Sequence, residues 1–321
     1  MNTYKNLNNM DCDYSWNSLL RPGEAGDFFC CAERVGPFRP ELTEYSLSNA
    51  WWLSEICRLI YRRGEDETGI WASPLSRNDF LRSIGLKECF FVKKQGLFYS
   101  LVSDGKESFA ILVFRGTSRF EHWFSNLNTL QTLWPSGGMI HTGFKNEFDR
   151  IQHELSEILS EVHIPLFYTG HSLGGAFATL TASIIPPRAV YTFGSPRVGN
   201  AAFRDSLASV NLYRIATEND IVTTVPPSRP PFYFCHAGEA KKTSFRNRDE
   251  IFYDNNILNL SEPLTFSFVK RFARAPHFLA AHSPVNYSRC LLYEADFIHK
   301  AGQSTKNISC ALLPQIPAYL P

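Results

Sequence analysis

An α/β fold, with a mostly parallel central sheet and helices on both faces, is what three features of this chain predict. Strand-like and helix-like runs alternate through the middle third of its 321 residues, the pattern of parallel strands joined by crossover helices. A serine flanked by glycines, GHSLG at 170–174, stands where one such strand turns into the helix after it. The composition, 44% hydrophobic and 20% charged, is that of a chain able to bury one large core.

The elements follow in order. Residues 1–45 are polar and irregular, and are expected to form an extension packed on a main domain at 46–300. LSNAWWLSEICRLIYRR (47–63) spaces Trp51, Trp52, Ile56, Leu59 and Ile60 as one helical face. GLFYSLVSDGKESFAILVFRG (96–116) reads as a hairpin of two apolar runs turned by Ser103-Asp104-Gly105, since Asp-Gly favours a tight turn. The run 143–162 carries Phe148, Ile151, Leu155 and Ile158 on one side of a helix. IPLFYTG (164–170) is a strand, and GGAFATLTASII (174–185) a small-residue helix that stops before Pro186. RAVYTFGSPRVGN (188–200) and NLYRIATEND (211–220) each supply an apolar strand ending in polar loop residues. Pro314, Pro317 and Pro321 mark residues 301–321 as a surface tail.

Several function classes drop out. The net charge of +1 calls for no nucleic-acid or acidic partner. The eight cysteines form no C-x-x-C pair, so neither a zinc site nor a disulfide scaffold is expected, and a reduced compartment fits best. The start MNTYKNLNNMDCDYSW lacks the apolar core of a Sec signal, which favours a cytoplasmic location, although export without a cleaved signal would leave no mark. The sequons at Asn259, Asn286 and Asn307 therefore carry little weight. No phosphate loop, dinucleotide fingerprint or metal-ligand cluster occurs, so no cofactor and no metal is expected. The 26 Phe, 13 Tyr and 6 Trp suit either a ring-rich core or an apolar ligand groove.

G-x-S-x-G between a strand and a helix is a nucleophile elbow. Its serine sits in a sharp turn, and glycine at 170 and 174 removes side chains that would strike the neighbouring strand and helix. A serine hydroxyl needs a base, and the base needs an acid to hold its tautomer. Asp220, ending a strand-like run, is the leading acid, with Glu218, Asp249, Glu250 and Asp254 as rivals, and the downstream histidines are His236, His277, His282 and His299.

Together HTGF, YTGHSLGGAFATL, TFGSPRVGN and ATENDIVTTVPP, in this order across 111–290, resemble the class 3, fungal-type lipases. The resemblance implies an α/β-hydrolase with a Ser-Asp-His triad acting on acylglycerols, phospholipids or other carboxylic esters. Matched position by position, it implies Ser172 as nucleophile, Asp220 as acid and His282 as base, with His277 in reserve and His236 on a non-catalytic strand. It also implies an oxyanion hole from the N–H groups of Thr117 and Leu173, with Arg115 and Gly116 structural. Phe120, Trp123, Phe124 and Leu127 then form the apolar stripe of a lid, or of an ordinary packed helix. The family's W-x-x-D-L has Asn126 here in place of aspartate. His171 reads as structural, and 264–278 as a solvated or an interfacial helix. A lipid or other ester is the expected substrate, with transient contact to a membrane or lipid droplet. The rival readings are a soluble short-chain or feruloyl-type esterase and a lipase-like scaffold that binds partners without turnover.

Overall fold

The computed structural model describes residues 12–62, 64, 74–94, 96–116, 130–244 and 272–311. Its strands are β1 (Leu86–Lys94), β2 (Leu97–Asp104), β3 (Ala110–Phe114), β4 (Gln131–Leu133), β5 (Met139–His141), β6 (Leu166–His171), β7 (Ala189–Phe193), β8 (Leu212–Thr217) and β9 (Glu239–Thr243). Among the described residues one seven-stranded sheet runs β1-β2-β3-β6-β7-β8-β9, and β4-β5 form a separate ribbon. From β3 to β9 every pairing is parallel, while β1, β2 and β3 pair antiparallel. The sheet is therefore mostly parallel, with an antiparallel edge.

Alternation along the strands sorts the core into two layers. Leu112, Phe114, Leu166, Tyr168 and Val190 face one way, against α2 (Thr142–Ser160) and α3 (Leu173–Ala182). Ile111, Val113, Phe167, Tyr191 and Ile215 face the other, against α1 (Leu47–Leu59) and α4 (Pro284–Ala311). Phe28, Phe29 and Cys31 are buried in this second layer beside Trp51. A buried ion cluster fastens them: Arg58 reaches Asp27 at 3.0 Å and Glu55 at 2.8 Å, and Glu55 also accepts from the Phe29 N–H and from Ser288 of α4. Removing one partner would strand a buried charge, which makes such clusters hard to dismantle piecemeal.

Four elements differ from the sequence expectation. The β2–β3 connection is not a tight Asp-Gly turn, because Ser103 pairs with Ala110 and the loop is longer. The Asp104 carboxylate organises it, accepting from Ser108 N–H at 2.7 Å. β1 and β9 are not expected from the sequence; as the edge strands of the sheet they carry exposed charge, Lys87 and Lys93 on β1 and Glu239 and Lys242 on β9. Finally, α4 continues through Ala311, past the division expected at residue 300.

Candidate active site

The serine is placed by backbone alone. β6 lies between β3 and β7 and delivers Ser172 at its carboxyl end, where the residue takes φ 59° and ψ −130°. A non-glycine residue there is strained, and the surroundings must enforce it. They do so at close quarters. A Cβ on Gly170 would stand 2.2 Å from the Gly174 carbonyl carbon, and one on Gly174 would stand 2.2 Å from Phe114 O. The Ser172 N–H donates to Phe193 O at 2.9 Å, and Gly175 N–H donates to Ser172 O at 2.9 Å, starting α3. Leu173, the first residue of that helix, has an N–H with no intrahelical acceptor. Gly116 passes so near that an added Cβ would lie 2.8 Å from His171 O and 3.2 Å from Ser172 Cβ. Among the described residues Ser172 Oγ, though buried, has no hydrogen-bond partner.

Asp220 and His282 meet at the same edge. His282 Nδ1 lies 3.0 and 2.9 Å from the two Asp220 carboxylate oxygens, with both side chains buried. A carboxylate can only accept, so Nδ1 carries the proton and Nε2 is left as the basic nitrogen. Asp220 Oδ1 also accepts from the Val222 N–H at 2.9 Å, and Oδ2 from the Tyr287 hydroxyl at 2.7 Å. Burial and the neighbouring carboxylate push Tyr287 well above the ordinary phenol range, which keeps it a donor. Its oxygen in turn accepts from the Thr217 N–H at 3.2 Å.

Two residues join this pair to the elbow. Gly194 directly follows Phe193, the acceptor for Ser172 N–H, and has φ +58°. A Cβ there would fall 2.7 Å from Asp220 Oδ2 and 3.0 Å from His282 Nδ1, so only glycine lets the Asp220–His282 pair close onto β7. His171 precedes the serine, and its Nε2–H donates to His282 O at 2.6 Å with the rings 4.5 Å apart. Burial, then the nearby His282, holds His171 well below its ordinary pKa, so it stays neutral there. Sequence reading missed Tyr287 and the part played by Gly194, and it saw His171 as structural without seeing that it supports His282. Each acts across a long loop, so no local pattern announces it.

The remaining candidates separate cleanly. His236 Nε2 lies 2.8 Å from Thr223 O, and His277 bonds Tyr14 through Nδ1 at 2.9 Å and Asn219 through Nε2 at 3.2 Å. Neither sits on the Asp220 carboxylate. Glu218 is exposed beside that loop, and His299 is exposed on α4. Thr117, Phe120, Trp123, Phe124, Leu127, Asp249, Glu250, Asp254 and residues 264–271 lie outside the described residues. Asn286 is buried with its amide engaged by Asp13, a setting incompatible with a glycan. Among the described residues no group of three His, Cys, Asp or Glu is arranged to hold a metal, and no helix is long and apolar enough to cross a membrane.

Comparison with known proteins adds to this geometry. A family model described as Lipase (class 3) matches residues 111–229. A lipase of Rhizomucor miehei is 36% identical over 159 residues, 44% of this chain and 43% of the other. The chloroplastic phospholipase A(1) DAD1 of Arabidopsis thaliana is 32% identical over 148 residues, 36% of this chain and 33% of the other. The chain thus matches less than half the length of either relative. A solved structure of a mutant form of MDLA from Penicillium cyclopium superposes with a TM-score of 0.53 at 21% identity, covering 75% of this chain and all of that one. That likeness is one of fold.

Proposed function

We propose, from the class 3 lipase model that matches residues 111–229 together with the geometry of the site, that this chain is a class 3 lipase-like serine hydrolase of lipid carboxylic esters. One observation carries the reading: a histidine whose Nδ1 is seated on a buried carboxylate, at the sheet edge where a strained serine ends β6. In this mechanism Asp220 fixes the tautomer of His282, and Nε2 takes the Ser172 proton as Oγ attacks the ester carbonyl carbon. The developing oxyanion takes hydrogen bonds from the N–H of Leu173 and, by the family resemblance, of Thr117. Collapse breaks the ester C–O bond, and the alkoxide leaves with the proton from His282. Water, deprotonated by the same nitrogen, then releases the acid and regenerates Ser172. No cofactor enters these steps.

The class of ester is an acyl chain on glycerol or on a phospholipid, reached through transient contact with a lipid surface. Relatives named as lipase and as phospholipase A(1) support both headgroups equally. Ser172→Ala should lower turnover of a p-nitrophenyl ester by about 10⁶-fold with an unchanged circular dichroism spectrum. A fluorophosphonate adduct should map to Ser172. Turnover retained in the variant would refute the triad, and a panel favouring butyrate over long chains would replace the lipid reading by a short-chain esterase.

A further inference from the structure

The loop bearing His282 is gripped by a segment from the far end of the chain. Asp13 exchanges two hydrogen bonds with the Asn286 side chain, N–H to Oδ1 at 2.8 Å and Nδ2–H to the Asp13 carbonyl at 2.9 Å. Ser283, next to His282, donates its hydroxyl to Ser18 O at 2.7 Å. The Ala275 N–H donates to Tyr14 O at 2.8 Å. The Tyr14 hydroxyl bonds His277 Nδ1, and His277 Nε2 bonds Asn219, the residue directly before Asp220. Ser283 and Asn286 are wholly buried, so an unmade bond at either is costly, while the Tyr14–His277–Asn219 link is half-buried to exposed. The grip flanks the base and, through His277, reaches the loop of the acid. The loop is also tied from within, Asn286 Nδ2–H donating to Ala280 O at 2.8 Å, and from β8, where the Thr217 hydroxyl donates to Ala281 O at 2.9 Å; to these the segment adds bonds at His277 before His282 and at Ser283 and Asn286 after it.

We infer that Asp13–Ser18 is a positioning strap for the base: it helps set where the His282 imidazole stands, and loosening it lowers turnover while leaving substrate binding intact. The inference rests on the ester-hydrolase reading and adds a control point outside the residues 111–229 matched by the family model.

The test uses the full chain with Ser283→Ala, Tyr14→Phe, the double variant, and Ser100→Ala as control. Ser100 makes comparable buried bonds to Glu88 and Phe90 O at the β1–β2 edge. The double variant should lower kcat about tenfold or more with KM changed less than about twofold, since a small misplacement of a catalytic group costs turnover rather than binding. The control should lose stability and keep both parameters. A kcat within about twofold of wild type, or a loss shared with KM and matched by the control, would overturn the strap. Should the wild-type chain hydrolyse no ester, the enzyme reading fails on its own. The strap is then read by amide hydrogen exchange over 277–286, which must quicken in the double variant and not in the control; unchanged exchange overturns it.

Discussion

Ser172 and His282 stand at one sheet edge and are held there by opposite means. The serine is set by main chain: two glycines without room for a methyl, a strand between two parallel neighbours, and hydrogen bonds from its own amide and to its own carbonyl. The histidine is set by side chains drawn from across the sequence, with partners 62, 111 and 265 residues away for its ring, its carbonyl and the next residue. A backbone device tolerates almost no change, because main-chain atoms cannot step aside. A side-chain device can be taken apart one bond at a time, each with a modest, measurable effect. The serine end should fail all at once, and the histidine end by degrees.

Gly170→Ala probes the first half of that contrast and carries the largest expected effect. Its methyl would meet the Gly174 carbonyl group at 2.2 Å, backbone against backbone. Stability should fall by about 3 kcal/mol or more, with fluorophosphonate labelling lost in whatever protein remains folded. Urea unfolding and labelling of the soluble fraction measure the two. A variant that folds and labels like wild type would mean that the elbow is not fixed by its backbone.

Tyr287→Phe probes the second half. It removes one of the hydrogen bonds that Asp220 accepts, while the Val222 amide and His282 remain. Bonds to charged groups contribute about 1.5–3 kcal/mol, so kcat/KM should fall roughly ten- to hundredfold rather than vanish. Steady-state kinetics decide it. A loss as complete as that expected for Ser172→Ala would show that the base's seat is as brittle as the elbow, and the contrast would collapse.

The same difference explains what the sequence could reveal. GHSLG is five consecutive residues between a buried strand and a buried helix, so the elbow, β6, β7 and β8 are readable from spacing and burial. Asp220 and His282 needed the order of motifs in addition. Tyr287 and the strap partners at 13–18 had no local signal, because their roles exist only once distant loops are brought together. The two edge strands were missed for another reason. β1 (LKECFFVKK) and β9 (EAKKT) expose one side to water and carry charge that defeats an apolar-run criterion. The centre of this sheet is written in periodicity, while its margins are written in contacts.

The smallest expected effect concerns pH and separates the two regions once more. His171 supports the base, whereas His236 lies in the loop before β9; both are held below their ordinary pKa, chiefly by burial. The His236 value is lowered to about 3, with Arg214 adding to burial. In the unfolded chain each ring takes a proton as pH falls below about 6.5, and in the fold it does not. The unfolded state then binds more protons, so the contribution to stability is whole above about pH 6.5 and is lost progressively below it. Between pH 7 and 5.5 each histidine should cost about 1 kcal/mol. The urea midpoint of His236→Gln should therefore drop less over that interval than the wild-type midpoint, with ester turnover per folded molecule unchanged. His171→Gln should show the same flattened pH response together with a fall in kcat, because its N–H fixes the His282 carbonyl. If both variants kept full turnover, the side-chain seat of His282 would extend no further than Asp220.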